Sequence, residues 1–230
     1  MFSLLLDTCT DFGFVAIAKD HEMLRRIDFP FGFNNSKFLL PALEEIKNQI
    51  NFDELSFIAV GNGPGSYTGI RVGVMAAKTL SYSTGVPLIG ICSLEEYVPK
   101  HFGKYAAMID AKIGGAYLLL GNYDANGISY LSQPKLCSIE ELSKSLVGST
   151  TIVSPDYENI KSKLVEINPG LDVNWEKAKP SAEQMLAVAI KKFAAKQYTA
   201  DGSLEINYLR KTQAEIERET SPKGQRKCEH

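Results

Sequence analysis

Leu4-Leu5-Leu6-Asp7, near the start of the chain, and Ala107-Met108-Ile109-Asp110, about a hundred residues later, share one pattern: an apolar run closed by a carboxylate. Each reads as a buried strand with an aspartate just past its end. In both places a glycine follows (Gly13; Gly114 and Gly115), and then a second strand. Outward from the first copy, strands are expected at 2–6, 12–18 and 23–29. Leu39, Leu43, Ile46 and Ile50 then recur at helical spacing. A strand at 57–60, a glycine-rich loop at 61–69, a helix at 70–82 and a strand at 86–91 come next. Ser93 with Glu96 reads as a capping box opening a short helix.

The second copy repeats the order. Strands are expected at 105–109, 116–120 and 128–131, a helix from the Ser138/Glu141 capping box to 146, a strand at 151–153 and a helix at 157–167. Ser181 with Gln184 caps a last helix running to 195. Each half therefore reads as βββαβαβα, and a period this long points to two related α/β subdomains rather than a solenoid. Residues 1–100 form the first, 101–209 the second, and 210–230 a charged tail with six basic and four acidic side chains, which reads as a solvated end or as an RNA-binding arm.

The chain has 230 residues, 44% apolar and 23% charged, which excludes disorder, collagen and simple coiled coil. Its 25 basic against 27 acidic residues leave no whole-protein field to draw nucleic acid or an anionic membrane. Cys9, Cys92, Cys137 and Cys228 are far apart and form no CxxC pair, which argues against zinc, redox and secreted disulfide chemistry and for a reducing cytoplasm. No signal peptide is visible, and no apolar run reaches the roughly 18 residues of a membrane helix.

Few residues offer chemistry. Gly61-Asn62-Gly63-Pro64-Gly65-Ser66-Tyr67-Thr68-Gly69 lies between a strand and a helix, so Gly63, Gly65 and Ser66 could cradle a phosphate. No Gly-Lys-Ser/Thr closes the loop, and tight packing explains its glycines equally. Asp7, with Thr8 beside it, and Asp110 occupy positions that hold a magnesium ion or a water in nucleotide-binding folds, or they cap their own turns. Gly69, Gly73, Ala77 and Ser81 make a small stripe four apart, open to close approach by another helix. Phe38, Ala42, Val72 and Met75 carry apolar character beyond a single stripe, which implies a second buried side, internal or against another protein. His21, His101 and His230 are isolated, so no metal site and no activated nucleophile is apparent.

The stretch from Gly61 through Ile70-Arg71-Val72-Gly73-Val74-Met75-Ala76-Ala77-Lys78 resembles the signature of the TsaB (YeaZ) family of tRNA threonylcarbamoyladenosine proteins. Leu4-Leu5-Leu6-Asp7-Thr8, Leu39-Leu40-Pro41, Ile109-Asp110-Ala111-Lys112, Pro180-Ser181-Ala182 and Tyr208-Leu209-Arg210 follow in the family's order. The resemblance implies a duplicated actin-like, ribonuclease H-like (ASKHA) fold and a non-catalytic subunit. It implies docking on a catalytic TsaD-like paralogue, with a TsaE-like ATPase and tRNA joining the complex, while the partners handle ATP, magnesium and threonylcarbamoyl-adenylate. The implied interface is the first helix pair: Ser36, Leu39, Leu40, Leu43 and Ile46 on one helix, and Gly69, Ile70, Val72, Gly73, Met75, Ala76, Ala77 and Leu80 on the other. Asn35 stands where family members commonly carry histidine. An exposed apolar helix pair is also compatible with a homodimer in the partner's absence. Two rival readings are an independent ATP-dependent phosphotransferase using Asp7 and Asp110, and a glycopeptidase; the lack of an HxxxH pair speaks against the second.

Overall fold

The computed structural model describes residues 1–32, 35–112, 115–146, 150–200 and 203–209. Gly114 and the charged tail from Arg210 lie outside the described residues.

The first sheet contains β1 (Phe2–Asp7), β2 (Phe14–Lys19), β3 (Glu22–Asp28), β4 (Leu55–Gly61) and β5 (Leu88–Ile91), in the order β3-β2-β1-β4-β5. The pairs β2/β3 and β1/β2 are antiparallel; β1/β4 and β4/β5 are parallel. The second sheet repeats this plan with β6 (Gly103–Asp110), β7 (Ala116–Asp124), β8 (Gly127–Tyr130), β10 (Thr150–Ser154) and β11 (Val173–Lys177), ordered β11-β10-β6-β7-β8. Every pairing keeps the sense of its counterpart. A short extra strand, β9 (Lys135–Cys137), pairs with β7.

Period-2 alternation splits β1 into two cores. Leu4 and Leu6 join Val15, Ile17, Ile58 and Val60 beneath α1 (Asn35–Lys47) and α2 (Tyr67–Thr84). Leu5 faces the other way, with Phe14, Phe57, Ile89 and Ile91, and is covered by α5 (Ala182–Ala194). In the second half, Met108, Leu118 and Ile152 lie under α3 (Ile139–Ser145) and α4 (Glu158–Ile167). The opposite face, with Tyr105, Ala107, Ile109 and Leu119, is covered by Cys92, Leu94 and Tyr97 of the turn after β5. The cover is thus exchanged: α5, from the second half, closes the first sheet, and the turn over residues 92–97, from the first half, closes the second.

Two details differ from the sequence reading. The capping box at Ser93 sits one residue earlier, where Glu95 Oε2 accepts the Cys92 N–H at 3.2 Å and a short 3-10 turn follows over Ser93–Glu96. Ser93 and Glu96 are instead turned inward and fully buried. β11 fills the fifth-strand place that the repeat calls for but to which the sequence gives no range, and the three-residue β9 is an addition to the expected elements; both are short and their apolar alternation is weak.

Candidate functional site

The outer face of α1 and α2 presents Leu40, Tyr67, Met75 and Tyr82 to solvent; Phe31, Phe102 and Leu131 are exposed apolar side chains elsewhere on the chain. Ser66 Oγ accepts the Gly69 N–H at 3.2 Å and caps the start of α2, while Gly85, in the left-handed region at φ 71°, returns its N–H to Ser81 O and ends it. α1 is fastened at its start by Asn35 Nδ2, which donates to Thr8 O at 3.2 Å and to Thr10 O at 2.8 Å.

The residues assigned to a partner interface divide sharply. Leu39, Leu43, Ile46, Ile70, Gly73 and Ala77 point into the chain's own core. They are unavailable to a partner because the sheet already occupies that side. Leu40 and Met75 remain 68% and 59% exposed, Ser36 is exposed, and Gly69, Val72, Ala76 and Leu80 are half-buried. Tyr67, Arg71, Met75 and Tyr82, spaced four, four and seven apart, form one exposed ridge on α2. Tyr82 is 86% exposed.

The small stripe serves a different neighbour from the helix expected. A Cβ on Gly69 would overlap Thr8 O, and one on Gly73 would overlap Thr8 Oγ1. Thr8 Oγ1 donates to Gly69 O at 2.6 Å. The glycines therefore let α2 settle onto the turn after β1, where any side chain would hold it off.

The positions considered for a nucleotide are closed in the same way. Asp7 is buried, its Oδ1 accepts the Cys9 N–H, and a Cβ on Gly61 would overlap its Oδ2. Asp110 repeats the arrangement: its Oδ1 accepts the Lys112 N–H at 2.9 Å and its Oδ2 accepts from Asn159 Nδ2 at 2.7 Å. Both aspartates cap their own turns through the N–H two residues on. In the glycine loop, Ser66 N–H donates to Cys9 O at 2.6 Å and a Cβ on Gly65 would overlap that carbonyl. Gly63 lies under residues 203–209, its added Cβ 2.9 Å from Asn207 O. Across the gap between the halves, Asp11 interacts with Lys112 and Asp156; burial pushes its carboxyl up, with Lys112 opposing the shift. Carboxylates turned into their own turns, and a loop packed against Cys9 O with its Ser66 N–H spent there, are unlike a magnesium polyphosphate cradle. Among the described residues, no group of three or more His, Cys, Asp or Glu is placed to hold a metal.

One element escapes sequence reasoning. Residues 203–209 lie as an extended strap against the glycine loop: Asn62 Nδ2 donates to Glu205 O at 3.1 Å and Asn207 N–H to Asn62 O at 2.8 Å. Arg71 Nε donates to Tyr208 Oη at 2.8 Å, with its guanidinium 3.9 Å from the Tyr67 ring centroid. Its sequence signals are the Tyr208-Leu209 stretch noted above and apolar alternation at Leu204 and Ile206, which pack on the first core.

Two sheets of one strand order and one set of pairing senses define a duplicated actin-like α/β protein. A family model described as TsaD, tRNA N6-adenosine threonylcarbamoyltransferase, matches residues 34–218. The chain belongs to this family, in its TsaB (YeaZ) branch. It is 26% identical over 220 residues to the tRNA threonylcarbamoyladenosine biosynthesis protein TsaB of Escherichia coli, covering 90% of this chain and 94% of that protein. It is 33% identical over 133 residues to TsaB of Bacillus subtilis, covering 56% of this chain and 58% of that protein. The YeaZ structure from Pseudomonas aeruginosa superposes with a TM-score of 0.76 at 19% identity, over 90% of this chain and 99% of that one.

Proposed function

We propose that the chain is a non-catalytic docking subunit in the formation of N6-threonylcarbamoyladenosine in tRNA, seating the outer face of α1 and α2 on a TsaD-like catalytic paralogue. The observation that carries this reading is the contrast between the two candidate sites: Leu40 and Met75 stand in solvent, whereas both repeated carboxylates are turned into their own turns. Family membership supports the pathway. A surface of exposed aliphatic, aromatic and arginine side chains has the composition of an interface core.

On this reading Leu40, Val72, Met75, Ala76 and Leu80, with Ser36 at the edge, make the contact, and the buried leucines and glycines act from beneath by fixing how the helices lie. The half formed by residues 1–100 carries the partner face. The half formed by 101–209 completes the body. A TsaE-like ATPase and tRNA engage the assembled complex, and the bond chemistry takes place in the partner. Among the described residues, the buried free thiols Cys9, Cys92 and Cys137 suit a reducing cytoplasm.

The test is reconstitution. The full chain should co-elute with a TsaD-like protein on gel filtration, and tRNA modification by the mixture should depend on its presence. A chain that elutes alone and leaves modification unchanged would refute the proposal.

A further inference from the structure

Asp7, at the end of β1, and Glu96, in the turn after β5, are both fully buried and lie within hydrogen-bonding reach of one another. Asp7 Oδ2, both oxygens of Glu96 and Ser93 Oγ are buried without a satisfying partner. No ion pair among the described residues reaches either acid. Lys192 of α5 is committed elsewhere, with Nζ 3.7 Å from Glu95 Oε2 and donating to Gly90 O at 2.9 Å. The other titratable groups around the pair carry no positive charge: Cys9 in the turn after β1, and Cys92, Glu95 and Tyr97 in the turn after β5. Tyr105 of β6 and Tyr130 of β8 face Glu95 from the second sheet. Two adjacent carboxylates cannot both stay ionised in such surroundings.

We propose that Asp7 and Glu96 hold a single proton between them at neutral pH, carried on Glu96 and donated to Asp7 Oδ2, and that this proton latches β1 to the turn that covers the second sheet. The assignment to Glu96 follows the local bonding. Asp7 already accepts the Cys9 N–H, which favours its ionised form, whereas Glu96 has no such donor. Burial pushes both acids up from their ordinary values, Asp7 against its own hydrogen bonds and Glu96 well above, with the Asp7 charge as the next cause for Glu96. The latch sits where several elements meet: Glu96 O accepts the Ser181 N–H that opens α5 at 2.9 Å, and Tyr97 Oη lies 3.3 Å from Thr10 Oγ1.

The sign of the linkage is fixed. A group whose folded pKa is raised contributes stability that is fully present below its unfolded value, about 4.3 for Glu, and is lost as pH rises toward the folded value. Across that window the native state holds one proton more than the unfolded chain. The unfolding equilibrium constant should therefore rise by up to tenfold per pH unit.

The test uses the full chain, with urea unfolding from pH 5 to 9 and infrared spectroscopy at pH 7.5. The wild type should show a protonated-carboxyl C=O stretch at pH 7.5. Glu96→Gln, whose amide donates where the acid proton did, should lose that band, fold normally and unfold with a pH slope flatter by one proton. An infrared band that is absent from the wild type refutes the proposal whether or not the variant folds. A Glu96→Gln slope parallel to the wild type refutes it too. Titration of wild type with Mg2+, Mn2+ or Zn2+ should leave the unfolding midpoint in place; an ion-dependent rise abolished by Glu96→Gln would make the pair a cation site instead.

Discussion

Thr8 governs how closely α2 approaches the sheet, through its carbonyl against Gly69 and its hydroxyl against Gly73. Alanine normally stabilises a helix interior by about 1 kcal/mol over glycine. At Gly69 the added methyl meets backbone that cannot move aside, and overpacking of that kind costs about 1–3 kcal/mol. Gly69→Ala should therefore lower stability by up to about 2 kcal/mol net in urea unfolding; a rise in the midpoint would contradict the packing of α2 on Thr8. Leu39 and Leu40 make a sharper contrast, adjacent in sequence but 2% and 68% exposed. Leu39→Ala should cost about 2–5 kcal/mol, and Leu40→Ala should stay within about 0.5 kcal/mol. Similar losses for the two would mean that α1 is turned about its axis so that both side chains meet the sheet.

At the scale of elements, strands with strong alternation or continuous apolar runs are legible in the sequence, as are helices opened by the capping signals at Ser138 and Ser181, whereas the Ser66 cap starts α2 three residues before the expected Ile70. The range of β11 escapes because only Val173 and Trp175 mark its inward side. Helical periodicity locates α1 and α2 but does not say what each face meets: the glycine stripe reads the same whether a helix or a turn lies against it. Glu96 shows the same limit more strongly. Its place three residues after Ser93 is an ordinary capping signal, and only the fold, which brings it onto Asp7, turns the carboxyl inward. The cap on α2 offers a direct check: Ser66→Ala removes the acceptor for the Gly69 N–H and should cost about 1 kcal/mol in thermal or urea unfolding. No loss would show that the loop, rather than the cap, sets the start of the helix.

For the whole molecule, the exchanged cover makes the two sheets interdependent. Removing everything after residue 100 would take α5 from the face that carries Leu5, Phe14, Phe57 and Ile89. A 1–100 fragment should therefore show no cooperative unfolding transition. The full chain should unfold in one step, with fluorescence of Trp175, the single tryptophan, reporting from the second sheet at the same urea midpoint as far-UV circular dichroism. Separate midpoints would mean that the halves stand alone.

The near-neutral charge of the chain suits the proposed apolar docking, which needs no strong whole-protein field. The central claim is that the exposed face of α1 and α2 holds a TsaD-like partner. Calorimetric titration of that partner with the double variant Leu40→Glu/Met75→Glu tests it most directly, because both side chains already stand in solvent and their replacement should leave the fold intact. The account predicts loss of binding by at least about a hundredfold, with the variant's unfolding midpoint unchanged. Wild-type affinity in a folded double variant would contradict it.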